Sequence, residues 1–207
     1  AHISDHRVGR QSCPQRLAWI EQAKPDLSRL RLQRLLSGGT AVPRVVIEKV
    51  RQYFNADTVH AWGMTELSPL GVAGTKLLRH ETLDDEAWMA LQLKQGRTIY
   101  GIEMRVVDDE GRVIETPDTS GRLEVRMASL FKGYRSAGSD LSMPPERPEE
   151  RFKAGGWFAT GDEYVRDADG FYHHRGRTGD ILRVSGLWVS PSEIEDKLAG
   201  MPGIVET

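Results

Sequence analysis

The chain has 207 residues, 39% of them hydrophobic and 28% charged, with a formal net charge of −2. This balance places it among soluble globular proteins, excludes disorder of the whole chain, and provides no field to draw in nucleic acid or an acidic membrane. The single cysteine, Cys13, rules out an internal disulfide, and no paired Cys/His spacing points to zinc, so a reducing cytoplasm is the expected compartment.

No apolar run approaches the ~20 residues of a membrane helix, and the N-terminus lacks the order of a signal peptide. The chain starts at Ala1 instead of methionine, which reads as an excerpt from a longer gene. In chain order, Leu17, Trp19, Ile20 and Ala23 are spaced for a short helix over 15–23. Pro25-Asp26-Leu27-Ser28 ends that helix and starts another. A strand over 31–36 then runs into the small-residue loop Ser37-Gly38-Gly39-Thr40. Pro43 opens a helix with Val46, Val50, Tyr53 and Phe54 on one face, and the next strand covers 58–61. A strand running into a loop of small residues, twice over, is the arrangement that puts ligand-binding backbone at the carboxyl edge of an open α/β sheet.

After a helix over 86–95 the texture changes to strands and turns. Residues 103–107 lead into the turn Asp108-Asp109-Glu110-Gly111, followed by Val113-Ile114 and a strand over 122–126. This predicts an antiparallel, barrel-like subdomain. The segment 144–151, rich in proline and charge, reads as a solvated loop with a helical turn at its end. Asp167-Ala168-Asp169-Gly170 makes one hairpin turn. Residues 181–184 and 187–189 pair across Ser185-Gly186, and a helix opens at Ser190-Pro191.

Three groups of residues carry chemistry. In Ala61-Trp62-Gly63-Met64-Thr65-Glu66, a strand-end glycine lets backbone approach a planar base and Trp62 offers an aromatic face. Thr65 can donate to a phosphate, and Glu66 is a hard oxygen ligand suited to Mg2+. Taken alone, the same residues read equally as a tight strand-to-helix turn capped by Thr65. Asp162, after Thr160-Gly161, is a carboxylate able to accept both hydroxyls of a ribose, and Arg177 can fork onto ribose or phosphate oxygens. The competing account of this second group is an ordinary Arg-Asp pair on a hairpin. His60 reads as a satisfied strand histidine, His2, His6 and His80 as residues without partners, and Arg29, Arg31 and Arg34 as a solvated surface.

Together with Gly121-Arg122-Leu123-Glu124-Val125, Lys132-Gly133-Tyr134 and Gly176-Arg177-Thr178-Gly179-Asp180, these motifs resemble, in order, those of the adenylate-forming superfamily of acyl-CoA synthetases, luciferases and peptide-synthetase adenylation domains. The resemblance implies that Thr65 and Glu66 contact ATP phosphate and its Mg2+, and that Asp162 and Arg177 anchor the ribose. It makes Thr65, Glu66 and Arg177 the catalytic residues. It further implies that Gly38, Gly39 and Thr40, with Ala61, Trp62, Gly63 and Met64, line the adenine and acyl pockets. The segment 184–191 resembles the part of benzoate-type ligases that presents a backbone turn to CoA, here Ser185 and Gly186. The segment 61–71 is more similar to fatty acyl-CoA synthetases, so the two halves point to different carboxylic acids.

The implied fold is an open α/β sheet portion, an antiparallel β-barrel-like subdomain and the start of a small α+β domain. Residues 1–178 would close the large AMP-binding domain, and 179–207 would begin the small one. In relatives the position of Gly179 is a hinge, usually aspartate or lysine, and the position of Arg183 is commonly lysine. Neither the family's hydroxyl-rich phosphate loop nor its distal lysine occurs in this sequence. The expectation is therefore a segment of an acyl-CoA synthetase, inactive alone, whose parent reaction turns carboxylate, ATP and CoA into acyl-CoA, AMP and pyrophosphate through an acyl-adenylate. The alternatives are a stand-alone nucleotide-binding or scaffolding protein that lost catalysis, and a peptide-synthetase segment.

Overall fold

The computed structural model describes residues 13–39, 41–138, 140, 142, 144–184, 187–189, 191, 194 and 198, with the side chains of 14, 182–184, 187 and 188 excepted. Among the described residues, two four-stranded sheets are accompanied by helices and a separate hairpin.

The first layer is built on a strand-helix-strand unit. Helix α1 (Cys13–Ala23) precedes strand β1 (Arg34–Gly38), helix α2 (Arg44–Phe54) and strand β2 (Asp57–Gly63), and β1 and β2 run parallel. Pro43 stands at the N-cap of α2, where its fixed φ suits the first turn and its missing N–H costs nothing. Val46, Ile47 and Val50 recur at helical spacing and are buried with Leu17 of α1 and Met89. The helix stops at Asn55, whose φ of 50° is a left-handed cap tolerated by asparagine.

Strands β3 (Leu70–Ala73) and β4 (Arg97–Thr98) extend this sheet antiparallel, with helix α3 (Asp85–Gln92) between them. Asp84 caps α3 by accepting from the Ala87 N–H at 2.8 Å. The second helical start predicted at 25–28 is absent. The Asp26 carboxylate accepts from the Ser28 N–H at 2.9 Å, and this local turn competes with helix initiation. Strands β3 and β4 carry no signal strong enough to predict, being four and two residues long.

The second sheet is an antiparallel meander, β5 (Ile102–Val107), β6 (Ser120–Met127), β7 (Phe158–Arg166) and β8 (Tyr172–Arg177). It is an open sheet with no closed barrel among the described residues. On β7 the buried residues alternate as Phe158, Thr160, Asp162 and Tyr164, the period expected of a strand with one face in the core. That face packs with Val106, Leu123, Val125 and Tyr172 against Leu67 and Val72 of the first layer, so one core spans both sheets. The β7–β8 turn is the predicted one: Asp167 Oδ1 accepts from the N–H groups of Asp169 (2.9 Å) and Phe171 (2.8 Å).

Gln95 stitches the two layers together. Buried at 4% exposure, its Oε1 accepts from the His174 N–H at 2.6 Å, its own N–H donates to the Tyr172 carbonyl at 3.0 Å, and its amide nitrogen lies 3.5 Å from His60 Nε2.

The segment 144–151 is mostly exposed yet well anchored. Tyr134 and Glu146 exchange two backbone hydrogen bonds of 2.8 Å, and the Phe152 N–H reaches the Pro148 carbonyl at 2.9 Å, which supplies the expected helical turn. Beyond β8, strands β9 (Leu182–Val184) and β10 (Leu187–Val189) form the predicted hairpin. Of the helix predicted from Ser190, the described residues Pro191, Ile194 and Leu198 are helical. No helix among the described residues is long and apolar enough to cross a membrane.

Candidate functional site

The parallel register places Gly38 opposite Ala61, so the two carboxyl ends of β1 and β2 open onto the same sheet edge. A Cβ on Gly38 would stand 2.4 Å from the Ala61 carbonyl oxygen, and Gly39 adopts a φ of 96°, so each glycine is required by geometry. Thr40, Ser185 and Gly186 lie outside the described residues, as do His2, His6 and the side chain of Arg183.

After Gly63 the chain tightens into a single 3-10 turn, Thr65–Leu67, with Met64 before it. Thr65 does not cap this turn. The N-cap is Met64, and Thr65 is exposed, so its hydroxyl can be reached by a ligand. Gly63 answers to packing: a Cβ there would meet the Pro69 carbonyl oxygen at 1.9 Å. Trp62 has one part of its ring against Gly71, where a Cβ would come within 2.6 Å of the indole, and it meets Tyr164 edge-on at 5.5 Å.

Glu66 is held at two points. Its carbonyl accepts from the Phe131 N–H at 3.1 Å, and its Oε1 accepts from the Tyr134 hydroxyl at 3.0 Å. Burial of the phenol, followed by this bond to Glu66, pushes the Tyr134 pKa up, so the hydroxyl stays protonated and keeps donating. Tyr134 is itself fixed by the rings of Phe131 (4.8 Å) and Phe152 (6.5 Å). No group of three His, Cys, Asp or Glu side chains is arranged for a metal among the described residues. Glu66, half-buried, with its second carboxylate oxygen unclaimed among the described residues, suits a Mg2+ that brings phosphate oxygens as its other ligands.

Asp162 and Arg177 are register partners across β7 and β8, with Nη1 and Oδ1 3.1 Å apart. The aspartate side chain is 3% exposed and the arginine side chain 57%, so a buried carboxylate is presented through a half-solvated cation. His174 Nε2 is 3.5 Å from the same Oδ1, and its ring packs on Tyr164 at 5.1 Å. A continuous path of contacts thus runs from Trp62 through Tyr164 and His174 to Asp162 and Arg177. Tyr164 is fully buried, and its hydroxyl has no hydrogen-bond partner among the described residues. Burial and the nearby Asp162 carboxylate drive its pKa well up.

The residues that sequence reasoning missed are His174, Tyr164 and Arg151. The Arg151 guanidinium donates from Nε to the Ala159 carbonyl (2.7 Å) and from Nη2 to the Thr160 carbonyl (3.0 Å). His60 is the satisfied strand histidine expected, 1% exposed with Nδ1 3.2 Å from the Leu93 carbonyl. His80 is a correction. It is 4% exposed, its Nδ1 accepts from the Leu77 N–H at 3.2 Å, and it stacks near Trp88 and Phe171. Gly179 turns at a φ of 100° with no atom within 4 Å of where a Cβ would stand, so the turn after Arg177 is open. A cleft of about 340 Å3 lies away from these groups, between Arg122, Glu163 and Arg175.

Residues 10–135 match the family described as AMP-binding enzyme. A medium-chain-fatty-acid–CoA ligase of Ectopseudomonas oleovorans is 37% identical over 178 residues, covering 84% of this chain and 30% of that protein. A 3-hydroxybenzoate–CoA/4-hydroxybenzoate–CoA ligase of Thauera aromatica is 43% identical over 111 residues, 54% of this chain and 20% of that protein. Among solved structures, the anthranilate CoA ligase AuaEII in complex with anthranoyl-AMP superposes with a TM-score of 0.73 at 29% identity, over 94% of this chain and 33% of that one. The chain therefore spans a third or less of the length of these relatives. With the open α/β edge, the threonine-glutamate turn and the Asp162–Arg177 pair in one chain, the match leads to a single assignment: this chain belongs to the AMP-binding enzyme family.

Proposed function

We propose that this chain supplies the ribose- and metal-facing side of an adenylate-forming site in an acyl-CoA synthetase, an acid-thiol ligase. The parent reaction joins a fatty or aryl carboxylate to the α-phosphate of ATP with loss of pyrophosphate, and then transfers the acyl group to CoA with release of AMP. The observation that carries the reading is the buried Asp162 carboxylate held by Arg177 and joined by contacts to Trp62 at the sheet edge.

In this reading the base lies at the edge made by Gly38, Gly39, Ala61 and Trp62, using the face of the indole not covered by Gly71. Asp162 accepts from the ribose hydroxyls. This is a selective contact, because a ligand lacking a hydroxyl leaves a buried acceptor unpaired. Thr65 donates to a phosphate oxygen. Glu66, with its carboxylate fixed by Tyr134, would hold Mg2+, which when bound neutralises charge on the phosphates. Residues 1–178 then close the large domain, and Gly179 is the pivot for the small domain that begins there. Ser185 and Gly186 face CoA, and the cytoplasm is the compartment. Binding of a nucleotide is the activity expected of these residues by themselves.

Calorimetric titration with AMP and with an acyl-sulfamoyl adenosine tests the proposal. Saturable binding is expected, weakened about tenfold or more by Asp162→Asn. A folded chain that gives no heat with either ligand, or an Asp162→Asn variant that binds as well as the parent, overturns it.

A further inference from the structure

We infer that Arg151 is a second cationic anchor of this site, forming with Arg177 a two-guanidinium clamp over Gly161 that takes the phosphate of a bound nucleotide. The inference rests on the nucleotide reading above and goes beyond it, because no motif in the sequence singles out position 151.

Gly161 has a φ of 81° and no side chain, and the atoms nearest to the point where a Cβ would stand belong to two arginines. Arg151 Nη1 lies 3.8 Å from that point and Arg177 Nη1 lies 3.9 Å from it. The two nitrogens are therefore within about 8 Å of each other. Arg177 Nη1 is engaged by Asp162 Oδ1 at 3.1 Å and the Thr160 carbonyl at 3.4 Å, so Arg177 would meet a phosphate through its remaining N–H groups while Arg151 offers Nη1.

Arg151 is built to stay there. Its Nε and Nη2 are committed to the carbonyls of Ala159 and Thr160, its guanidinium lies 4.9 Å from the Phe158 ring centroid, and its own carbonyl accepts from the Ala159 N–H at 2.8 Å. Nη1 has no protein partner among the described residues. A planar fork with two arms tied to backbone and one left over is pre-organised, so little rotamer entropy remains to be lost when an anion arrives.

Position supports the same role. Arg151 is close enough to the Tyr134 hydroxyl to act on it electrostatically, and Tyr134 holds Glu66. The guanidinium thus neighbours the Tyr134 hydroxyl while being tied to the carbonyls of Ala159 and Thr160, the latter two residues short of Asp162 on the same strand. A phosphate has to lie between a metal-binding carboxylate and a ribose-binding one.

The test compares AMP with adenosine, which differs only in lacking the phosphate. In calorimetric titrations the parent chain is expected to prefer AMP. Arg151→Gln should shrink that preference about tenfold or more while leaving adenosine affinity in place. An equal loss for both ligands would reduce Arg151 to a structural tie to β7 and overturn the inference, as would an unchanged preference. Should the glutamine variant fail to fold, Arg151→Lys, which keeps the charge and loses the fork, decides by the same ratio. A threefold or greater drop is the expected result, and none is the refuting one. If the parent binds neither ligand while Asp162→Asn is equally silent, the nucleotide reading itself fails and takes this inference with it.

Discussion

Asp162 and Arg177 face each other across the β7–β8 ladder at 3.1 Å, the first enclosed on the core face of the sheet and the second reaching into solvent. The pairing is set by the strand register, so a single slip would send Asp162 to the opposite face.

Removing the cation leaves a buried carboxylate with His174 beside it. Arg177→Met should cost about 1–3 kcal/mol in urea unfolding, less than a fully buried pair because the arginine side chain is more than half exposed. Adding Asp162→Asn to that variant should recover part of the loss, since the stranded charge is gone. Additive costs in the double variant would show that the two side chains are not coupled.

Glu66 and Tyr134 give a separable test of the metal-binding role. ATP binding by the parent chain should strengthen when Mg2+ is added, and Glu66→Gln should abolish that increment without touching metal-free binding. Tyr134→Phe should weaken the increment several-fold while costing about 1 kcal/mol of stability, the worth of one hydrogen bond. Full Mg2+ dependence in Glu66→Gln would remove the carboxylate from the site.

His80 links the fold to pH. Burial, and then the neighbouring Arg79, hold its imidazole pKa below the ordinary value. Between that lowered value and about 6.5 the unfolded chain binds a proton that the folded chain refuses. Stability contributed by the neutral ring is therefore present above about pH 6.5 and lost as the pH falls below it. Urea midpoints measured at pH 7.5 and 5.5 should fall more steeply for the parent than for His80→Asn. Parallel slopes would contradict the assignment.

Gly38 tests the sheet edge. A methyl group there would stand 2.4 Å from the Ala61 carbonyl oxygen, which belongs to backbone that cannot yield by rotation. Gly38→Ala should destabilise the chain by about 1–3 kcal/mol and displace the β1–β2 edge, whereas Gly101→Ala meets no atom and bears only the strain of a φ of 85°. A fully stable Gly38→Ala variant would show that the edge is looser than its spacing indicates.

Much of this was legible in the residues alone. Pro43 and the Val46–Val50 spacing located α2, and Asp167 with Gly170 located the β7–β8 turn, because each depends on local backbone preference and period. Strands β3 and β4 were not legible, since short segments between turns acquire strand geometry from their neighbours. Likewise, His80 looked partnerless because its ring neighbours Trp88 and Phe171 come from other elements and its local partner is a backbone N–H, that of Leu77.

The sequence by itself determined the residue types and order that mark the family, along with the turns and helix starts that a few adjacent side chains impose. Only the tertiary structure decided which of those residues meet: Asp162 with Arg177, Glu66 with Tyr134, and Arg151 beside Gly161. The reason is physical. Propensity acts over a few bonds, whereas these contacts join segments brought together by sheet register and by a core shared between two sheets, and neither is encoded in any single stretch of chain.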